Sequence, residues 1–207
     1  MNPEEAIRVL LRHIGEDPDR EGLRDTPARA VKAWLEWTRG YAEDPAKILT
    51  RTFGDVGDYD QMIIVRDIRV ESTCEHHLAP IIGSAWVGYI PRQGEDGKVS
   101  VVGLSKIPRA VEALAKRLQV QERLTAQVAN AIEAALDPLG VAVVIRATHH
   151  CMCTRGVHQT SAAMTTSAMR GVFRTEAEAR AEFERAAQLT NNLRERALLL
   201  ARAQACG

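Results

Sequence analysis

Two short segments carry the residue types that bind metal ions. Cys74-Glu75-His76-His77 places a thiol and an imidazole at i and i+3, so one helical or tight turn points both at a single ion, as the half-sites of zinc proteins do. His149-His150-Cys151-Met152-Cys153 closes a second β-branched run and can supply a third ligand across a sheet. Cys74, His77 and Cys151 make a three-ligand site with one position open for water, the arrangement of a catalytic metal. Adding Cys153 closes the tetrahedron, as in a structural site. The spacing allows both.

His76 and His149 are the imidazoles left over beside those ligands. Histidine titrates near neutrality and both donates and accepts protons, which suits general acid and base steps. Positive charge gathers in Ser105-Lys106-Ile107-Pro108-Arg109, at a strand-to-helix junction, and at Arg155-Gly156 after the second cluster. A helix N-terminus with Lys and Arg nearby suits phosphate. No Walker loop occurs, and GLSKIPR alone reads as an ordinary capped helix. Glu122 alone reads as a first-turn helix glutamate favoured by the macrodipole.

The elements that must position these residues are legible in the periodicity. Asn2-Pro3 followed by Glu4 and Glu5 predicts a helix with Ala6, Val9, Leu10 and Ile14 on one face, ended by Gly15. Thr26-Pro27 starts a second helix carrying Val31, Trp34, Leu35 and Thr38, ended by Gly40. MIIVRDIRV, IIGSAWVGYIP and KVSVVGL predict strands, the last two as a hairpin. Helical spacing returns in Ile107, Val111, Leu114 and Leu118, then in Leu124, Val128, Ile132 and Leu136, with Asp137-Pro138-Leu139-Gly140 as the stop. GVAVVIRAT and the stretch 160–168 predict another strand pair. Thr175-Glu-Ala-Glu178 reads as a capping box that opens a long helix towards Gln204. This order is α+β: an antiparallel sheet with two helices on one face, preceded by a helical region (1–60) and followed by a C-terminal helix (175–207) in the same single domain around a body at 61–174.

The composition excludes several classes of function. The chain has 207 residues, with 27 Lys+Arg against 27 Asp+Glu, so it lacks the global basic footprint of a nucleic-acid or anionic-membrane coat. The longest apolar run, Val141 to Ile145, is far below the roughly 20 residues of a membrane span. The N-terminus is acidic where a secretory segment is basic, which predicts a cytoplasmic protein with Cys74, Cys151, Cys153 and Cys206 as thiols.

STCEHHLAP (72–80), VVGLSKIPR (101–109), QVQERLT (119–125) and THHCMCTRG (148–156) resemble, in order and spacing, the signature segments of GTP cyclohydrolase I. REGLRDTPARAVKAW (20–34) is similar too, and the resemblance spans about residues 3 to 186. It implies conversion of GTP to 7,8-dihydroneopterin triphosphate and formate, the entry to tetrahydrofolate and pterin synthesis. It also implies the tunnelling fold and a decamer of two face-to-face pentamers with active sites between subunits. Matched by position, Cys74, His77 and Cys151 look like the zinc ligands, one ion per subunit, and Cys153 is then not a ligand. His149 matches the histidine that protonates the opening imidazole ring, His76 the one that assists hydrolysis of the formyl intermediate, and Ser105 the serine that takes part in opening the ribose.

The same resemblance makes Glu122 the carboxylate that recognises the guanine N2/N3 edge, with Gln121 beside it. Lys106, Arg109 and Arg155 match triphosphate-binding positions, and Arg29 and Lys32 resemble basic residues that a neighbouring subunit contributes. Thr154, Met164 and Arg170 depart from the usual pattern without touching those positions. The chain continues past the usual end of the family from about Gln188 to Gly207. A nucleobase deaminase is the rival zinc hydrolase, but its H-x-E and later P-C-x-x-C are missing.

Overall fold

The computed structural model describes residues 1–54, 56–57, 59–94 and 97–188. The N-terminal region is mainly helical, as its capping signals predict. Helix α1 (Pro3–His13) begins at Asn2, whose Oδ1 accepts the Glu5 amide at 2.8 Å, and Gly15 follows its end at φ 90°. Helix α2 (Thr26–Trp37), a 3-10 turn (Arg39–Ala42) and α3 (Pro45–Leu49) complete the region, followed by the short strand β1 (Thr52–Phe53). The body runs β2 (Ile63–Cys74), β3 (Pro80–Ile90), β4 (Val101–Val102), α4 (Lys106–Ala115), β5 (Leu118–Gln119), α5 (Gln121–Leu136), β6 (Gly140–His149), the single turn α6 (His150–Cys153) and β7 (Met164–Gly171). Helices α7 (Val172–Thr175) and α8 (Ala177–Gln188) follow.

The main sheet has the order β5-β2-β3-β6-β7, antiparallel except for the β2–β5 pair. Period-two alternation decides its two faces. Val141, Val143 and Ile145 of β6 join one core cluster with Ile107, Val111, Leu124, Val128 and Ile132 of α4 and α5. Ala142 and Val144 join the other, under Phe173 and Phe183 of α7 and α8. The helix pair thus covers one face, as the sequence order predicts, and each large aliphatic side chain buried there contributes roughly 1.5–3 kcal/mol. The C-terminal helix covers the opposite face.

Three local expectations are corrected. KVSVVGL does not form a hairpin with β3 in the main sheet: Val101–Val102 pairs with Thr52–Phe53 as a separate two-stranded sheet, leaving one isolated bridge, Gln93 with Val99. The hairpin partner of β3 is β2. Leu118, placed by its spacing on the first body helix, sits in β5, paired with Thr73. Thr175 does not cap α8; its hydroxyl donates back to the Gly171 carbonyl at 3.5 Å, and α7 ends at that residue. The expected course of the last helix beyond Gln188, and Cys206 with it, lies outside the described residues.

Two close approaches hold the frame. Gly40 sits where a Cβ would lie 2.1 Å from the Ala113 carbonyl oxygen, and its amide donates to the Lys116 carbonyl at 3.0 Å. The Arg117 Nε answers by donating to the Gly40 carbonyl at 3.0 Å, which ties the N-terminal region to the end of α4. Gly83 of β3 faces Ala147 of β6, and a Cβ there would lie 2.1 Å from the Arg146 carbonyl oxygen. Backbone cannot yield as a flexible side chain does, so Gly83→Ala must push β3 from β6 just below the two ligand-bearing turns. The expected cost is about 1–3 kcal/mol, read as a lower thermal midpoint together with less metal per subunit. A variant with wild-type midpoint and metal content contradicts this.

Candidate functional site

The β2–β3 turn presents the first two metal donors. The Leu78 amide donates to the Cys74 carbonyl at 2.8 Å and the Cys74 amide to the Ala79 carbonyl at 2.8 Å, closing one helical turn between the strands. Leu78 takes a positive φ of 55°, uncommon outside glycine, and this lets the chain re-enter β3 at Pro80. Cys74 and His77 therefore project to one side. Ile81 pairs with His149, so the end of β6 and the turn of α6 lie beside that hairpin, and α6 carries Cys151 towards it.

The result is one tight group. The donor atoms of Cys74, His77 and Cys151 all lie within 4.8 Å of one another, and the two Sγ atoms are 3.9 Å apart. A tetrahedral ion with metal–sulfur bonds of about 2.3 Å places two sulfurs about 3.8 Å apart, so the donors fit a metal without rearrangement. Burial, then the neighbouring Cys74 thiol, pushes the Cys151 thiol up, while the charge of Arg155 pulls it down. A bound cation reverses that balance by stabilising both thiolates. Cys153 points elsewhere: its Sγ lies 3.3 Å from the carbonyl oxygens of His149 and Gln159. The geometry favours the three-donor set over the four-donor one.

Around this group stand four of the other expected residues. His149, half-buried at the end of β6, meets the Gln121 Oε1 with its Nε2 at 2.8 Å. Burial pushes its imidazole below the ordinary value, partly offset by the Glu122 carboxylate nearby. Glu122 is exposed in the first turn of α5. His76 is exposed on the hairpin turn, its Nε2 3.8 Å from the Glu75 Oε1. Gln121 itself is 1% exposed, its amide groups all taken up inside the chain.

The remaining residues lie elsewhere in the subunit. Ser105, Lys106 and Arg109 open α4, whose N-terminal end lies by the Ile63–Tyr89 pair: the Val102 amide donates to the Tyr89 hydroxyl at 3.2 Å. Arg109 lines a cleft with Val65, Asp67 and Glu112. The other end of α4 meets the strand nearer the metal group, where Lys116 Nζ donates to Glu71 Oε2 at 3.0 Å. The cleft that Arg109 lines runs along β2 as far as Ile68 and Glu71. Arg29 and Lys32 are exposed on α2, Arg29 held by Asp25 at 3.0 Å, and Arg155 is exposed just after α6.

One feature gives no signal in the sequence. Glu75, inside the metal-binding turn, pairs with Arg123 of α5, which also donates from Nε to Gln119 Oε1 at 3.1 Å and from a terminal nitrogen to the Leu118 carbonyl at 3.0 Å. That guanidinium holds the Glu75 carboxyl below its ordinary range and fastens the turn to the helix. The partners are 48 positions apart, beyond any local pattern.

The family model of GTP cyclohydrolase I matches residues 3–188. The GTP cyclohydrolase 1 of Hyphomonas neptunium is 51% identical over 180 residues, covering 87% of this chain and 84% of that protein. That of Mycolicibacterium vanbaalenii is 53% identical over 179 residues, covering 86% of each. A solved structure of an archaeosine synthase QueF-like protein in the apo form overlaps 53% of this chain and 93% of that one at 18% identity and a TM-score of 0.39, too low to bear on the assignment. With a family match over nearly the whole described chain and relatives half identical to it, this chain belongs to the GTP cyclohydrolase I family.

Proposed function

We propose that this protein is a zinc-dependent GTP cyclohydrolase that converts GTP to 7,8-dihydroneopterin triphosphate and formate. The observation that carries the reading is the meeting of Cys74, His77 and Cys151 beside His149 in a chain of this family. Two thiolates and one imidazole suit zinc, and three protein ligands leave a position open. When bound, zinc supplies a Lewis acid that makes water nucleophilic near neutral pH.

The chain's own residues then divide the work. His149 delivers a proton to the imidazole ring of guanine as it opens at C8, and His76 assists the hydrolysis that frees formate. Glu122 accepts from the N–H groups of the guanine N2/N3 edge, which favours guanine over adenine. Ser105 takes part in opening the ribose. Lys106, Arg109 and Arg155 hold the triphosphate, joined by Arg29 and Lys32 of a neighbouring subunit.

The reading includes a homo-oligomer, a decamer of two pentamers, with residues 61–174 as the catalytic body of a single domain. The start of α4 lies by the Ile63–Tyr89 pair, away from the Cys74 end of β2, which supports shared sites. We place the reaction in the cytoplasm, where metal-binding thiols stay reduced. Among the described residues no helix is long and apolar enough to cross a membrane.

Zinc-loaded protein incubated with GTP is expected to release formate and yield a product that fluoresces after oxidation as neopterin; no formate from metal-replete, assembled protein refutes the function. His149→Ala is expected to keep its zinc and lose turnover, whereas Cys151→Ala loses the metal; equal zinc loss in both contradicts the roles. Oligomers co-assembled from His149→Ala and Ser105→Ala chains, each inactive alone, are expected to recover about a quarter of wild-type activity, since random mixing leaves that share of two-subunit sites intact. Mixed oligomers as inactive as the parents would show that both residues serve from one chain.

A further inference from the structure

Gln121 was expected beside Glu122 as a substrate contact, yet its surroundings give it another task. Its Nε2 faces three acceptors: the Ile145 carbonyl at 3.0 Å, the Met164 carbonyl at 3.0 Å and the Thr166 hydroxyl at 3.1 Å. Thr125 donates to the Gln121 carbonyl at 2.7 Å, so at the 2.7 Å Thr125–Thr166 contact it is Thr166 that donates, leaving a Thr166 lone pair for the glutamine amide. Turning the amide over would put its oxygen against two carbonyl oxygens in a buried site, an arrangement that leaves those acceptors unsatisfied. The orientation of this side chain is therefore fixed by the backbone of β6 and β7.

The consequence falls on His149. The atom that Gln121 turns towards it is Oε1, which only accepts, at 2.8 Å from Nε2. A hydrogen bond there requires a proton on Nε2, and the neutral ring must then carry its lone pair on Nδ1. We propose that Gln121 is a positioning residue that holds His149 as the Nε2–H tautomer, so that Nδ1 is the ring atom turned to the substrate. The inference rests on the cyclohydrolase reading for what Nδ1 meets, but not for the tautomer itself. Nδ1 takes up a proton from solvent water and passes it to the opening guanine ring, so the histidine ends the cycle as it began, while Nε2 keeps its proton and its tether. A glutamine spent in this way has no N–H left to donate to guanine.

The tautomer can be read directly. In the zinc-loaded, assembled full chain labelled with 15N-histidine, solid-state NMR of the neutral His149 ring is expected to show an N–H at ε2 and an unprotonated nitrogen at δ1, assigned against His149→Ala. The opposite tautomer overturns the proposal. Gln121→Met keeps the bulk but loses the acceptor; it is expected to lower kcat about ten- to a hundredfold with KM for GTP within about twofold and zinc content unchanged. A raised KM at retained kcat would make Gln121 a substrate contact instead. Should Gln121→Met fail to assemble, the wild-type NMR signature still decides. Wild-type protein that makes no formate from GTP would sink the function and leave the tautomer to be judged on its own signal.

Discussion

Two sulfur atoms from residues 77 positions apart in the chain are held 3.9 Å from each other, and the rest of the structure can be understood as what keeps them there. Thiols gain nothing from that proximity by themselves: burial and the neighbouring thiol both push Cys151 away from ionisation. A bound cation would make the arrangement favourable by turning the two sulfurs into shared ligands. The frame must therefore pre-pay the approach. It does so with the unbroken pairing of β3 and β6 from Ile90–Gly140 to Ile81–His149, with the Gly83 approach that lets these strands close, and with the single helical turns at the ends of β2 and β6.

Helix α5 is the second part of that frame. Its first turn meets both ligand-bearing segments: Gln121 holds His149, and Arg123 grips Glu75 inside the hairpin turn. The helix is in turn fixed by an apolar face, Leu124, Val128 and Ile132, pressed on the sheet with less than 2% exposure. Burial energy of the core is thereby transmitted to the orientation of polar groups at the site. A loss of packing in α5 reaches the histidine through the glutamine, and the metal-binding turn through the arginine.

Much of this was legible in the sequence because it is local. Asn2-Pro3 and Thr26-Pro27 mark helix starts, the β-branched apolar run Val141–Ile145 marks β6, and the Cys74–His77 spacing marks a turn that aims two donors one way. What was not legible depends on pairing at a distance. KVSVVGL has strand composition, but its partner is Thr52–Phe53, about fifty positions upstream, rather than the neighbouring β3. Spacing leaves open whether Cys153 joins the donor group; its Sγ instead faces the carbonyls of His149 and Gln159, contacts that no local pattern announces. Gln121 offered no local signal either, since its partners on β6 and β7 lie 24 to 45 positions away. Thr175-x-x-Glu178 had the right letters for a cap, yet α7 claimed the threonine first.

The number of sulfurs that reach a bound ion separates an open three-ligand site from a closed structural one. X-ray absorption at the zinc edge of the purified, assembled protein measures that directly. It should show two sulfur neighbours at about 2.3 Å, one imidazole nitrogen at about 2.0–2.1 Å and one further light atom. Three sulfur neighbours would bring Cys153 into the site and make it a closed structural one. Fewer than two would break the link between Cys74 and Cys151 on which the arrangement depends.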